Sequence, residues 1–209
     1  MKMLLRFSWI GPIIFFLAIV ISGFLHPNYS HFSQFISELG ADNAPNNLFM
    51  NYFGIIPFGL SICLFSIAGT FYSETKIQKL AFIILLLTGV LFVIAGLFNC
   101  DEGCVFENMS QKSIIHNMSA FSAFLLSVLV QLLIGILIFT KRKTRLTTYS
   151  FLAGIIGIIL FFLISKAGIY SEFRGLFQRL FLTNFLIWLI ISGNLILKTT
   201  FNTVTVYSK

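Results

Sequence analysis

At 209 residues, 57% of them hydrophobic and only 10% charged, with a mean hydropathy of +0.94, the chain is too apolar for an ordinary soluble domain. Its formal net charge of +7 is concentrated in a few short connections between apolar runs, which excludes a nucleic-acid-binding surface and reads instead as a membrane-topology signal.

Six apolar runs, uncharged except for Arg179 and Lys198 at the two ends of the last, are long enough to cross a bilayer, at approximately 7–25, 48–72, 80–98, 114–140, 146–165 and 179–198. About 20 helical residues span the ~30 Å hydrocarbon layer. Lipid offers the backbone no hydrogen-bond partner, so such runs are helices, and the ~10-residue alternation of a membrane β-barrel is absent. The expectation is an all-α, polytopic membrane protein: a six-transmembrane-helix bundle, with 1–209 forming a single integral membrane domain.

The first run starts beside Lys2 and Arg6 and is followed by no A-x-A-like cleavage site, so it reads as a retained anchor and not as a cleaved signal peptide. Pro27 stops it. In the connection that follows, Ser30 is a candidate N-cap. Phe32, Phe35, Ile36 and Leu39 then share one helical face, and Gly40 is a natural stop. A short amphipathic helix is expected there, ahead of a turn at 41–45. Pro57 is placed to kink the second helix.

The next connection on that side carries Cys100 and Cys104 around Asp101-Glu102-Gly103. A disulfide is the favoured reading on an oxidising face, with zinc held by the thiolates and His116 as its rival; no metal site is assigned. Cys63 sits mid-span as a small apolar residue. Ser119 with Ala123 and Ala153 with Gly157 permit close helix approach. Asn51, Gln131, Asn184 and Asn194 are expected to bond between helices. In the third connection, Tyr170 and Phe173 suit an interfacial position.

Six spans place both termini on one side. That side then holds Lys2, Arg6, Lys76, Lys79, Lys141, Arg142, Lys143, Arg145, Lys198 and Lys209, while Lys112, Lys166, Arg174 and Arg179 lie on the other. Short cytoplasmic loops collect Lys and Arg, so the termini are expected in the cytoplasm and the protein in the cell (inner or plasma) membrane. All three histidines and every acid except Glu74 then face outward.

Several stretches, in order, carry a family resemblance: SQFISELGADNAPNNLFMN at the first outward connection, GLFNCDEGC after the third span, HNMSAFSAF at the fourth and GLFQRLFLTNFLIW at the sixth. Together they resemble the prokaryotic membrane family known as domain of unknown function 998. The resemblance runs over almost the whole chain and implies a six-helix bundle without a general activity. More distantly, Ile36 to Gly40 and a histidine at the fourth span are similar to features of the eukaryotic damage-regulated autophagy modulator family.

His31, Ser37, Glu38, Asp101, His116 and Arg179 form the candidate outward-facing polar site, with His116 expected to meet Glu38 or Asp101 and Arg179 to bind a carboxylate. The reading adopted is binding or handling of a lipid or other small molecule. The alternatives are a membrane-embedded, metal-dependent lipid hydrolase or transferase with His116 as general base, and a structural subunit in which these groups only lace loops to helix ends. No established catalytic motif is present, so no catalytic residue and no cofactor is assigned. The lipid bilayer is the one partner assigned, nucleic acid is excluded, and the oligomeric state is left open.

The topology makes a direct prediction. A cysteine replacing Thr144 stays unmodified when an impermeant thiol reagent is added outside intact cells, and becomes modified once the membrane is permeabilised. Labelling from outside before permeabilisation contradicts the orientation.

Overall fold

The computed structural model describes residues 1–104, 107–141, 143–167 and 172–206. Arg142, Tyr170 and Lys209, singled out in the sequence, lie outside the described residues. Among the described residues there is no strand, and six helices are long and apolar enough to cross a membrane: α1 (Leu4–Leu25), α2 (Asn47–Phe71), α3 (Lys76–Leu97), α4 (Gln111–Phe139), α5 (Arg145–Lys166) and α6 (Arg174–Lys198, continuing to Val206). Each helix packs on its predecessor, and α6 closes the ring against α1. The connections 26–46 and 98–110 gather with the start of α6 at one end, called here the loop end; the short connections 72–75 and 140–144 lie at the opposite end.

Local sequence explains the helix ends. Leu25 ends α1, and His26 is extended (ψ 109°), as a residue before proline must be. Pro57 has no N–H for the turn before it, and α2 accommodates this with a π-helical stretch, Met50–Ile55, ahead of its regular α-helical part. Thr75 and Gln78 form a reciprocal capping box at the start of α3. The short helix expected in the first connection is a single 3-10 helix, Ile36–Gly40, and the residues before it form a turn. A longer α-helix is ruled out because the Glu38 carboxylate turns back to accept from the Phe35 N–H (2.8 Å), which fixes the entry at Phe35. Ile36 and Leu39 are buried while Phe32 is exposed, so the apolar face begins later than its spacing suggests.

Inside the ring, phenylalanines from successive helices touch. Phe15 of α1 stacks on Phe58 of α2 (4.6 Å), which meets Phe92 of α3 (5.0 Å); Phe92 lies 6.2 Å from Phe124 of α4, and Phe124 packs on Phe181 of α6 (4.9 Å). Phe161 brings α5 into the same chain of rings through Phe181 (6.3 Å). Lipid tails are as apolar as these rings, so the gain is dispersion and ring geometry more than water release. Polar groups add a few interhelical bonds: Asn51 Nδ2 donates to the Gly40 carbonyl (2.8 Å), Asn184 Nδ2 to that of Ala153 (3.1 Å) and Trp188 Nε1 to Ser150 Oγ (2.9 Å). Each is worth roughly 0.6–2 kcal/mol in a membrane. Gln131 is buried without a partner for its amide, and Asn194 is exposed.

α2 and α3 approach each other closely at Gly59 and Gly89. A Cβ on Gly59 would stand 2.7 Å from the Gly89 carbonyl oxygen and 2.8 Å from the Val93 nitrogen, both backbone atoms that cannot step aside. Gly59→Ala is therefore expected to destabilise the protein by about 1–3 kcal/mol, the usual scale of overpacking. Thermal unfolding in one detergent checks this, with Leu60→Ala on the exposed face as the control. An unchanged midpoint for Gly59→Ala contradicts the crossing.

Candidate functional site

The first turns of α6 hold the first connection down. Arg179 Nη1 donates to the backbone carbonyls of His31 (2.6 Å), Gln34 (2.8 Å) and Gly175 (2.9 Å), and Nη2 donates to the Tyr29 hydroxyl (2.5 Å). Tyr29 in turn donates to the Phe35 carbonyl (2.7 Å). Burial pushes the Tyr29 phenol up to about 12, against the opposing pull of Arg179, so it remains a donor throughout the neutral range. One turn earlier, Arg174 Nε donates to the Ser33 carbonyl (2.8 Å) and Nη2 to Glu38 Oε1 (3.0 Å). Gln178 Oε1 accepts from the Ile36 N–H (2.6 Å), and the Leu176 N–H donates to the Phe32 carbonyl (2.9 Å). Gly175 is required for this approach, since a Cβ there would stand 2.2 Å from the Gln34 carbonyl oxygen.

Glu38 is 5% exposed and Arg174 12%, and the carboxylate also accepts from Gln34 Nε2 (3.0 Å) and Phe35 N. This is a buried charge pair with its remaining lone pairs used, the condition under which such a pair is tolerated. His31 lies over Gly23 of α1, and partial burial together with the Arg179 guanidinium holds its imidazole below the usual histidine value.

A second network ties the middle connection to the start of α4. Asp101 accepts from Ser110 through both its oxygens, from Oγ (2.6 Å) and from N (2.8 Å), and the Asp101 N–H donates to Ser113 Oγ (3.3 Å). The Ser110 bonds hold the Asp101 carboxyl below its ordinary range. The stability it adds is therefore present above the ordinary carboxylate value and is lost only as pH falls through the depressed one. Asp42 pairs with Lys112 and accepts from Asn99 Nδ2 (3.1 Å). Cys100 and Cys104 are joined as a disulfide, packed against Ala41.

His116, one turn into α4, is 3% exposed. Its Nδ1 lies 2.7 Å from the Ala95 carbonyl oxygen and 2.9 Å from that of Phe98, carbonyls left without helical partners at the C-terminal end of α3. Both partners only accept, so Nδ1 carries the proton and Nε2 is left as an acceptor. Nε2 has no partner among the described residues. The ring lines both lobes of a recess, roughly 100 Å³ and 30 Å³, and both lobes are also lined by Ser37, Gln178, Ala120 and Phe124. The larger lobe reaches Phe121 and Ile164, between α4 and α5, where Phe121 is 51% exposed.

The six candidate residues thus divide into three neighbourhoods. Ser37 and His116 share the cavity, Arg179 holds the backbone of His31, and Glu38 sits beside that clamp on Arg174. Asp101 is committed to Ser110. Neither Glu38 nor Asp101 bonds His116, and Arg179 takes carbonyls in place of a carboxylate, because the first connection presents its backbone there and leaves no carboxylate within reach. Among the described residues no group of three or more His, Cys, Asp or Glu is placed to hold a metal ion. Arg174, Gln178 and Tyr29 do not stand out as site residues in the sequence. The helix begins at Arg174, a turn before its apolar run, and only this start brings 174, 178 and 179 together in its first two turns.

These features define a multi-pass helical membrane protein whose loop end is capped by its own first connection. Within that class the chain belongs to the family described as "Protein of unknown function (DUF998)", which matches residues 9–194. No curated protein and no solved structure matches the chain.

The buried pair carries a prediction of its own. Glu38→Gln and Arg174→Gln are each expected to cost about 3–5 kcal/mol, because each leaves one buried charge unpaired. The double variant loses less than the two single losses combined. A double-mutant cycle by detergent unfolding measures this, and strict additivity contradicts the pair.

Proposed function

We propose that the protein is a single integral domain of the cell membrane, with cytoplasmic termini, that binds an amphiphile, a lipid or comparable small molecule, at its outward-facing loop end. The polar head of the ligand donates a hydrogen bond to His116 Nε2. The observation that carries this reading is a buried histidine on the wall of a cavity lined mainly by apolar side chains, its Nδ1 taken by two carbonyls and its Nε2 left without a partner among the described residues. Ser37 and the amides of Gln178 and Asn117 are the other polar side chains on the cavity wall. A few convergent polar groups in an apolar recess are the ordinary composition of a small-molecule site.

The size of the cavity narrows the ligand. A lobe of about 100 Å³ lies below the roughly 300–1,000 Å³ of complete ligand pockets. It takes a polar head and a short length of chain, and the rest of an amphiphile lies outside along α4 and α5, past Phe121. Entry from the bilayer between those helices suits a lipid better than a soluble metabolite. The outward orientation rests on the concentration of Lys and Arg in the connections at the other end and on a disulfide at this one, which suits an oxidising compartment.

An esterase-like reading would need a nucleophile bonded to the histidine. Ser37 shares the cavity, but its hydroxyl makes no hydrogen bond to Nε2, so binding is the better-supported function. A purely structural role accounts for Nδ1, which caps α3, and leaves Nε2 and the cavity without a purpose.

His116→Asn separates the two roles, since the asparagine amide can still donate to the Ala95 and Phe98 carbonyls while the second ring nitrogen is gone. This variant is expected to stay folded and to lose a specific lipid or small molecule that co-purifies with the unaltered protein, as read by mass spectrometry. Ala120→Leu, which fills the cavity, gives the same loss. An identical bound complement in all three proteins contradicts the proposal.

A further inference from the structure

A second cavity lies at the opposite end of the bundle, enclosed by the α2–α3 connection, the first turn of α5 and the last turns of α6. Its volume is roughly 340 Å³, within the range of small-molecule sites. The floor is apolar: Phe82 and Ile196 are buried, and Leu146 and Leu195 half-buried, beneath a rim that carries Arg145 and Lys198. Neither cation has a hydrogen bond or ion pair among the described residues. Among the described residues Glu74 is the one acid on the lining, against the two cations of the rim. The start of α5 adds to their charge. Thr144 and Thr147 cap that helix reciprocally, Thr144 N donating to Thr147 Oγ1 (2.9 Å) and Thr147 N to Thr144 Oγ1 (3.2 Å), which sets the positive end of the helix at the cavity wall.

We propose that this cavity binds the phosphate-bearing head of an anionic membrane lipid between Arg145 and Lys198, with the start of its acyl chains on Phe82, Leu146 and Ile196. The depth of the site follows from its position at the ends of three spanning helices, where lipid headgroups lie. Two exposed cations above an apolar floor match an anionic amphiphile at both ends. A zwitterionic lipid lacks the net charge, and a free phosphate ion leaves the floor bare. The site is separate from the His116 cavity and does not depend on what that cavity binds.

The full chain in detergent is titrated with phosphatidylglycerol, with phosphatidylcholine and with inorganic phosphate, reading bound lipid by native mass spectrometry and thermal midpoint. Phosphatidylglycerol is expected to bind and raise the midpoint, while the other two do neither. The variant R145Q/K198Q weakens phosphatidylglycerol by about tenfold or more, the scale of one lost charge-assisted hydrogen bond. Both substitutions are at exposed side chains, and an unchanged midpoint without lipid confirms that the variant folds. The variant K76Q/K143Q removes two charges from the same end but none from the lining, and keeps the affinity. Equal binding of the two lipids, or an equal loss in K76Q/K143Q, overturns the site. A full effect from inorganic phosphate alone overturns the lipid and assigns a soluble phosphate in its place.

Discussion

The loop end of this protein depends on backbone carbonyls finding donors. The first connection folds back over the bundle, and in doing so it turns the carbonyls of His31, Ser33 and Gln34 toward α6. A carbonyl buried without a partner costs free energy on the scale of a lost hydrogen bond. Arg174 and Arg179 meet all three, with Gln178 between them accepting the Ile36 N–H. The guanidinium suits this work because its five donors stay charged and lie in a fixed plane, so one side chain can serve several acceptors. With that clamp in place Ser37 stands on the wall of the His116 cavity; without it the carbonyls of His31, Ser33 and Gln34 lose the donors that hold this part of the connection against α6.

His116 follows the same logic in the other connection. Its Nδ1 completes the end of α3, which fixes the ring, and the fixed ring then presents Nε2 to the cavity. A residue held by one face and available on the other is the usual arrangement of a histidine that acts on something else. The two cavities also divide the molecule by chemistry. The loop end offers the imidazole acceptor, a hydroxyl and two amides in a small recess, which favours a head that donates hydrogen bonds. The opposite end offers two cations over a wider apolar floor, which favours a head that carries negative charge.

Much of the architecture is legible in the amino-acid sequence, because hydropathy and the absence of charge are strong signals over 20 residues. The six-helix, all-α class and the family follow from them and from the quoted stretches. The site is harder to read. Acids, histidines and arginines gathered in the loop-end connections suggest that they meet one another. They mostly meet backbone and hydroxyls instead: Asp101 finds Ser110, Arg179 finds carbonyls, and Glu38 finds Arg174. Backbone carbonyls have no residue letter, so a sequence shows the donors without their acceptors. The extent of the short helix departs from its spacing for a related reason. Phe32 has helical spacing with Ile36 and Leu39, but the Glu38 carboxylate bonding back to Phe35 decides where the turn begins. Gly175 and Gly59 look like ordinary glycines, and only the distance to a neighbouring backbone gives them their role.

Everything proposed for the loop end turns on His116 holding its proton on Nδ1 and offering Nε2 to a ligand. Nitrogen NMR of the protein labelled at histidine, recorded in lipid nanodiscs and in delipidated detergent, tests this most directly. A His116 signal from the Nδ1–H tautomer is expected in both, with the Nε2 resonance shifting toward a hydrogen-bonded position only when the ligand is present. A proton found on Nε2, or an Nε2 resonance indifferent to delipidation, would contradict it.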